Sequence, residues 1–172
     1  MTRMRDKSES GAALVEFALL LPVFMALVLG MLSGGLIYNQ KMDLTHSTRE
    51  GARYGAAIDK ATTFANGQSW ASNVRDLVVA RSGGDLTAGT GTTAGVSTDG
   101  VCVALVSGSP AAVVAPTATY STSGSTCFTD SSSETGTRVQ VSARKGAKLE
   151  VLFFARVMTL TANATARYEG TG

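Results

Sequence analysis

Residues 17–38 read FALLLPVFMALVLGMLSGGLIY, and no charged residue occurs from Phe17 to Gln40. At about 1.5 Å per residue, a helix of this length covers a hydrocarbon core of roughly 30 Å. The stretch therefore predicts a membrane-spanning helix. Pro22 lies near its start, where a helix tolerates proline best. Gly30, Gly34 and Gly35 would weaken a helix in water but suit a membrane, where small residues let helices approach closely. Tyr38 falls where an interfacial aromatic belongs.

The flanks predict orientation. Arg3, Arg5 and Lys7 precede the span against Asp6 and Glu9. Positive flanks stay in the cytoplasm, so the C-terminal bulk is expected outside. A secretory signal fits less well. The apolar run exceeds a signal's short core, no small-residue cleavage pattern follows, and a polar, helix-favouring sequence continues directly from it.

The remaining composition excludes several functions. The 172 residues carry 15 basic and 13 acidic side chains, a net charge of +2, and only 16% are charged. So weak a balance argues against nucleic acid as a partner. One His and two Cys leave no Cys/His zinc cluster. His46 has no second histidine and no G-x-S-x-G nucleophile motif beside it. Asp85 and Asp99 lack EF-hand spacing. No catalytic residue, metal or cofactor is expected.

Beyond the span, residues 41–172 predict an α+β head. The helix is expected to continue over 41–60. Met42, Thr45, Arg49, Ala52 and Ala56 recur at threes and fours, as do Leu44, Thr48, Gly55 and Ile58. Glu50 stands three residues before Arg53, within helical reach, though Arg49, Glu50 and Arg53 also suit a solvated face. A second helix is expected over 69–82, with Ser69 or Ser72 as its cap. Trp70, Val74, Leu77 and Val78 form one face, and Gly83-Gly84 end it. Trp70 reads as a core anchor. Residues 83–100 are rich in Gly, Thr and Ser and predict a flexible loop.

Residues 101–172 predict the sheet. A second uncharged stretch, Gly100 to Thr129, is broken by Gly108, Pro110 and Pro116, so it reads as strands and not a span. Val101–Val106 reads as a buried strand, with short strands or loop edges at 117–120 and 126–128. Thr137–Ala143 alternates, and Met158–Tyr168 alternates most clearly, one face apolar and one polar. Lys148–Arg156 admits a short helix or a connecting loop, with Leu152, Phe153 and Phe154 as a lid or a contact patch. Cys102 and Cys127 both fall in the outward part. An oxidising compartment favours a disulfide between them; two buried thiols are the alternative.

One charge is misplaced. Glu16 stands at the edge of the apolar run, where a carboxylate is costly unless it is paired or at water level. A new N-terminus at Ala12 would supply a cation. Ser10-Gly11-Ala12-Ala13-Leu14-Val15-Glu16-Phe17 resembles a type IV prepilin processing site, closest to the Tad (Flp) class. Arg49-Glu50-Gly51-Ala52-Arg53 resembles a segment of the TadE-like family, and Ala166-Arg167-Tyr168-Glu169 resembles its closing strand. The likeness is thin between residues 60 and 135.

The resemblance implies a type IV pseudopilin-like fold. It divides the chain into a leader at 1–11, a transmembrane helix at 12–40 and the head. It makes Gly11, Ala12, Glu16 and Phe17 the processing site, and Ala12, Glu16 and Pro22 assembly residues. It implies a minor pseudopilin in the cytoplasmic membrane or the pilus. The partners it implies are a prepilin peptidase, the major Flp-type pilin, other pseudopilins and the inner-membrane assembly platform. The alternative expectation is an uncleaved, membrane-anchored binding module.

Overall fold

The structure is a computed structural model. It describes residues 6–62, 64–83, 86, 100–114, 119–130, 133–151 and 154–170. The leader's first five residues, most of the loop at 83–100 with Asp85 and Asp99, and Leu152 and Phe153 of the expected lid lie outside the described residues. The element order is α1 (Asp6–Ala57), α2 (Trp70–Arg81), β1 (Gly100–Ser107), β2 (Ala112–Val113), β3 (Arg138–Val151) and β4 (Phe154–Arg167). This is the α+β fold expected: a long N-terminal apolar helix, then a small head with an antiparallel sheet.

Helix α1 is 52 residues long and passes through Pro22. Along its apolar length Phe17, Leu20, Phe24, Leu27, Met31 and Leu36 are exposed. From Leu44 the same helix becomes the core of the head. The buried face runs Leu44, Ser47, Thr48, Gly51, Ala52, Gly55 and Ala56. The other expected set enters the core only through Ala52 and Ala56; Met42 is 41% exposed and Arg49 is exposed. Polar residues on the buried face are satisfied locally. The Ser47 and Thr48 hydroxyls each donate to the Leu44 carbonyl at 3.0 Å.

The end of α1 is closed by distant residues. A helix leaves its last carbonyls without intrahelical partners. Trp70 Nε1 donates to the Gly55 carbonyl (3.1 Å) and the Glu169 amide donates to the Ala56 carbonyl (3.0 Å). Trp70, 1% exposed, is thus both core anchor and cap. Ser69 caps α2 by accepting from the Ser72 amide, and the Ser82 amide closes its far end on Val78 O. Gly83 follows at φ +69°, a conformation that favours glycine.

The sheet order is β2-β1-β3-β4, antiparallel throughout. One face packs Val101, Val103, Leu105, Val139, Val141 and Ala143 against α1 and α2. The other face of β3 is not wet. Arg138, Gln140 and Ser142 are 2%, 0% and 4% exposed, because residues 119–130 fold over it. That chain segment first extends the sheet edge: Leu105 N donates to Tyr120 O and Thr122 N donates to Val103 O.

One expectation is corrected. The described residues of segment 148–156 form neither a short helix nor a loop. They belong to the β3–β4 hairpin, paired from Arg138↔Arg167 to Val151↔Phe154. Arg49, Glu50 and Arg53 lie on an exposed face, where Glu50 bonds Arg81 on α2 at 3.0 Å.

Candidate functional site: the N-terminal helix and its seat in the head

Gly11, Ala12, Glu16, Phe17 and Pro22 all lie on α1, and all are exposed. The helix passes through Gly11 without a break. A side chain at Gly11 would meet nothing within 4 Å. Ala12 and Glu16 are four residues apart, so they share one helix face. Just beyond them, Phe17, Leu20, Leu21, Phe24 and Met25 line an open apolar groove along the helix. The segment offers an apolar surface with one carboxylate at its edge. It can insert and pack, but it encloses no cavity for a substrate.

The Arg49–Arg53 segment is where α1 seats α2. A Cβ on Gly51 would stand 2.3 Å from Val78 Cγ2, and one on Gly55 would stand 3.1 Å from both Trp70 and Val74. These two glycines let the helices approach closely. Arg49, Glu50 and Arg53 are exposed around that seam. The motif is therefore a packing notch with a charged rim, and His46 beside it is exposed.

The buried polar residues of β3 are used internally. Arg138 pairs with Asp130, and the two are 3% and 9% exposed. Its remaining donors reach the carbonyls of Glu134, Gly136 and Gly108 at 2.8–3.3 Å. Gln140 accepts from the Cys127 amide and donates to the Phe128 carbonyl. Cys102 and Cys127 are joined in a disulfide, 25 residues apart in sequence. It fastens the covering segment to β1. A shallow cleft beside this cluster, lined by Glu134, Arg138, Thr165, Ala166 and Arg167, opens on a guanidinium already spent on four bonds. Among the described residues no group of three or more His, Cys, Asp and Glu could hold a metal.

The titration of Tyr168 is displaced. Burial pushes its phenol above the usual value near 10, opposed by the Lys60 amide donating to its oxygen at 2.7 Å.

Residues 11–53 match the family of TadE-like proteins. The match begins at Gly11 and ends at Arg53 of the packing notch, so it covers the apolar helix and its seat and leaves the sheet outside. The TadE-like family is associated with the Tad pilus. No curated protein and no solved structure matches the chain. Sequence reasoning did not find the Arg138–Asp130–Gln140 cluster. Its only signal was a charged residue and an amide inside an alternating strand, which is also what a solvated strand looks like.

Proposed function

We propose that this chain is a non-enzymatic minor pseudopilin of a Tad/Flp pilus, acting in assembly or initiation of a filament used for surface adhesion. The observation that carries the reading is the TadE-like match, which starts at Gly11 and covers the apolar helix. In this reading a prepilin peptidase cuts after Gly11 on the cytoplasmic side. Ala12 becomes the first residue, carrying a charged amine. The head lies outside the cytoplasmic membrane.

Glu16 then acts in register. Within one chain the Ala12 amine and Glu16 are four residues apart on a helix, which gives only a weak pairing. Against a neighbouring helix in lipid, a carboxylate without a cation is penalised. Wrong alignments of the bundle leave Glu16 unpaired, and the correct one neutralises it on a neighbour's amine. Desolvation of both ions opposes a large net gain, so the pair selects an alignment more than it adds affinity. Pro22 sits just beyond, on the helix face available to neighbours. The major Flp-type pilin, other pseudopilins and the inner-membrane platform are the partners this surface would meet.

The test is co-expression with a Tad prepilin peptidase and an intact-mass measurement of the product. Loss of residues 1–11 is expected. A peptidase-competent cell that leaves Met1 in place overturns the reading in favour of an uncleaved anchored module. Because a side chain at Gly11 meets nothing in the fold, Gly11→Phe blocks cleavage without disturbing the head.

A further inference from the structure

The two faces of the sheet have different neighbours. Helix α1 lies along the core face, from Gly55 beside Val139 to Lys41, whose ammonium donates to the carbonyl of Thr161, paired with Arg144. The strap formed by residues 119–130 covers the opposite face. Cys102 belongs to that covered side. It alternates along β1 with Val101 and Val103 of the core, and it pairs with Ser142 of β3. It is 4% exposed. Cys127 lies in irregular chain between exposed Ser125 and exposed Thr129, and is itself partly exposed.

The strap does not rely on sulfur alone for its seat. Before Cys127 in the chain, the Leu105 amide donates to the Tyr120 carbonyl at 2.8 Å and the Thr122 amide to the Val103 carbonyl at 2.9 Å. The Val103 amide donates to Thr122 Oγ1 at 3.0 Å. Ser121 between them is fully buried. After Cys127, Asp130 pairs with buried Arg138. Reduction removes the covalent tie and loosens the strap, yet these contacts remain. Cys102 then stays covered on β1, while Cys127 stays within reach of solvent. The seat holds the two Cα atoms 5.6 Å apart, a spacing a disulfide spans, so the pair is aligned for closure.

Thiol–disulfide exchange needs a thiolate that can reach the incoming sulfur. Of the two, only Cys127 offers that access in the folded head. We propose that the head receives its disulfide from a Cys-x-x-Cys thiol–disulfide oxidoreductase outside the membrane. Cys127 is the sulfur that meets this carrier, and Cys102 is the sulfur that resolves. The Cys127 thiolate attacks the carrier's disulfide. A mixed disulfide forms, and the carrier's second sulfur leaves with the electron pair. Cys102 gives its proton to water and attacks Cys127 Sγ. The bond between Cys102 and Cys127 forms, the mixed disulfide breaks, and the carrier leaves as a dithiol. In total the chain loses two electrons and two protons, and the carrier gains the electrons and takes its protons from water. The inference rests on the head lying outside the cytoplasmic membrane.

The order of the sulfurs is read on the full chain in detergent, with oxidised glutathione standing in for the carrier. Reduced Cys102→Ser, which keeps Cys127, should form its glutathione adduct several-fold faster by intact mass than reduced Cys127→Ser, which keeps Cys102. In urea the two rates should converge. Equal rates under native conditions, or a faster Cys127→Ser, overturn the proposal. Brief alkylation of the reduced wild-type chain asks the same question without a substitution. Iodoacetamide should mark Cys127 several-fold more than Cys102, and equal marking overturns the order. In cells lacking their envelope thiol oxidase, the wild-type chain should keep both thiols, and full oxidation there removes the carrier from the proposal. An impermeant maleimide separates this inference from the reading it rests on. Applied to spheroplasts making Cys102→Ser, it should label Cys127 from outside. Labelling only after lysis sinks the outside reading; labelling from outside with the wrong sulfur order sinks this inference alone.

Discussion

Gly51 is the residue on which the head's two helices depend. Its place against Val78 leaves no room for a methyl group. Gly51→Ala gains up to about 1 kcal/mol of helix propensity, but overpacking a dry contact costs typically 1–3 kcal/mol, so a net loss of roughly 1–2 kcal/mol is expected. Thermal unfolding measures it, and adding Val78→Ala should recover part of the loss if the contact is its cause. Asp130 carries a larger share. Asp130→Ala would leave Arg138, 2% exposed, without its carboxylate, and stranding a buried charge costs about 3–5 kcal/mol. Tyr168 sets an alkaline limit. Its folded value lies above its unfolded one, so its contribution is complete below pH ~10 and is lost as pH rises through the folded value. Unfolding midpoints measured across pH 8–11 should fall above pH ~10, and Tyr168→Phe should flatten that part of the decline.

Among the elements, the covering segment 119–130 depends on its bond to β1. In the chain-entropy account a loop of this size contributes about 3 kcal/mol. Cys102→Ser with Cys127→Ser should cost stability of that order and uncover the polar face of β3, seen as faster amide exchange at Gln140 and Ser142. That face marks a limit of what the sequence carried. Arg138, Gln140 and Ser142 alternate with Val139, Val141 and Ala143, which makes a strand legible. What covers the polar side is a Ser/Thr/Gly stretch held by one disulfide and scattered bonds, and local patterning contains none of that. Segment 148–156 was unreadable for a related reason. Its polar and apolar residues alternate only from Lys148 to Val151 and then run apolar to Ala155, and its strand form comes from pairing with β4 more than from propensity. Helix α2 was legible because its cap, apolar face and terminal glycine all lie within a few residues of one another.

For the whole molecule, the apolar helix and α+β class followed from one uncharged run and two alternating strands. The resemblance of Gly11–Phe17 to a processing site was legible in the sequence. In the proposed reading Ala12 and Glu16 meet a neighbouring chain, which neither one sequence nor one copy of the fold contains. The head borrows its core from α1, and that sets where the chain can be cut. A version beginning at Lys41 keeps Leu44, Ala52 and Ala56 and should fold in water with a cooperative melt by circular dichroism. One beginning at Ile58 loses the helix that covers the sheet and should not.

The unbroken run of α1 also has a mechanical side. No loop separates the span from the core: both lie on one continuous helix about 78 Å long. A tilt imposed on the apolar end must reappear at the Gly51 and Gly55 notch as a rotation of the head. A pull along the axis reaches the sheet as shear, because the first stretch of β3 lies alongside the helix and not across its end. Many side-by-side contacts must then slip together before the head lets go, so the rod and its seat form a coupling able to carry load.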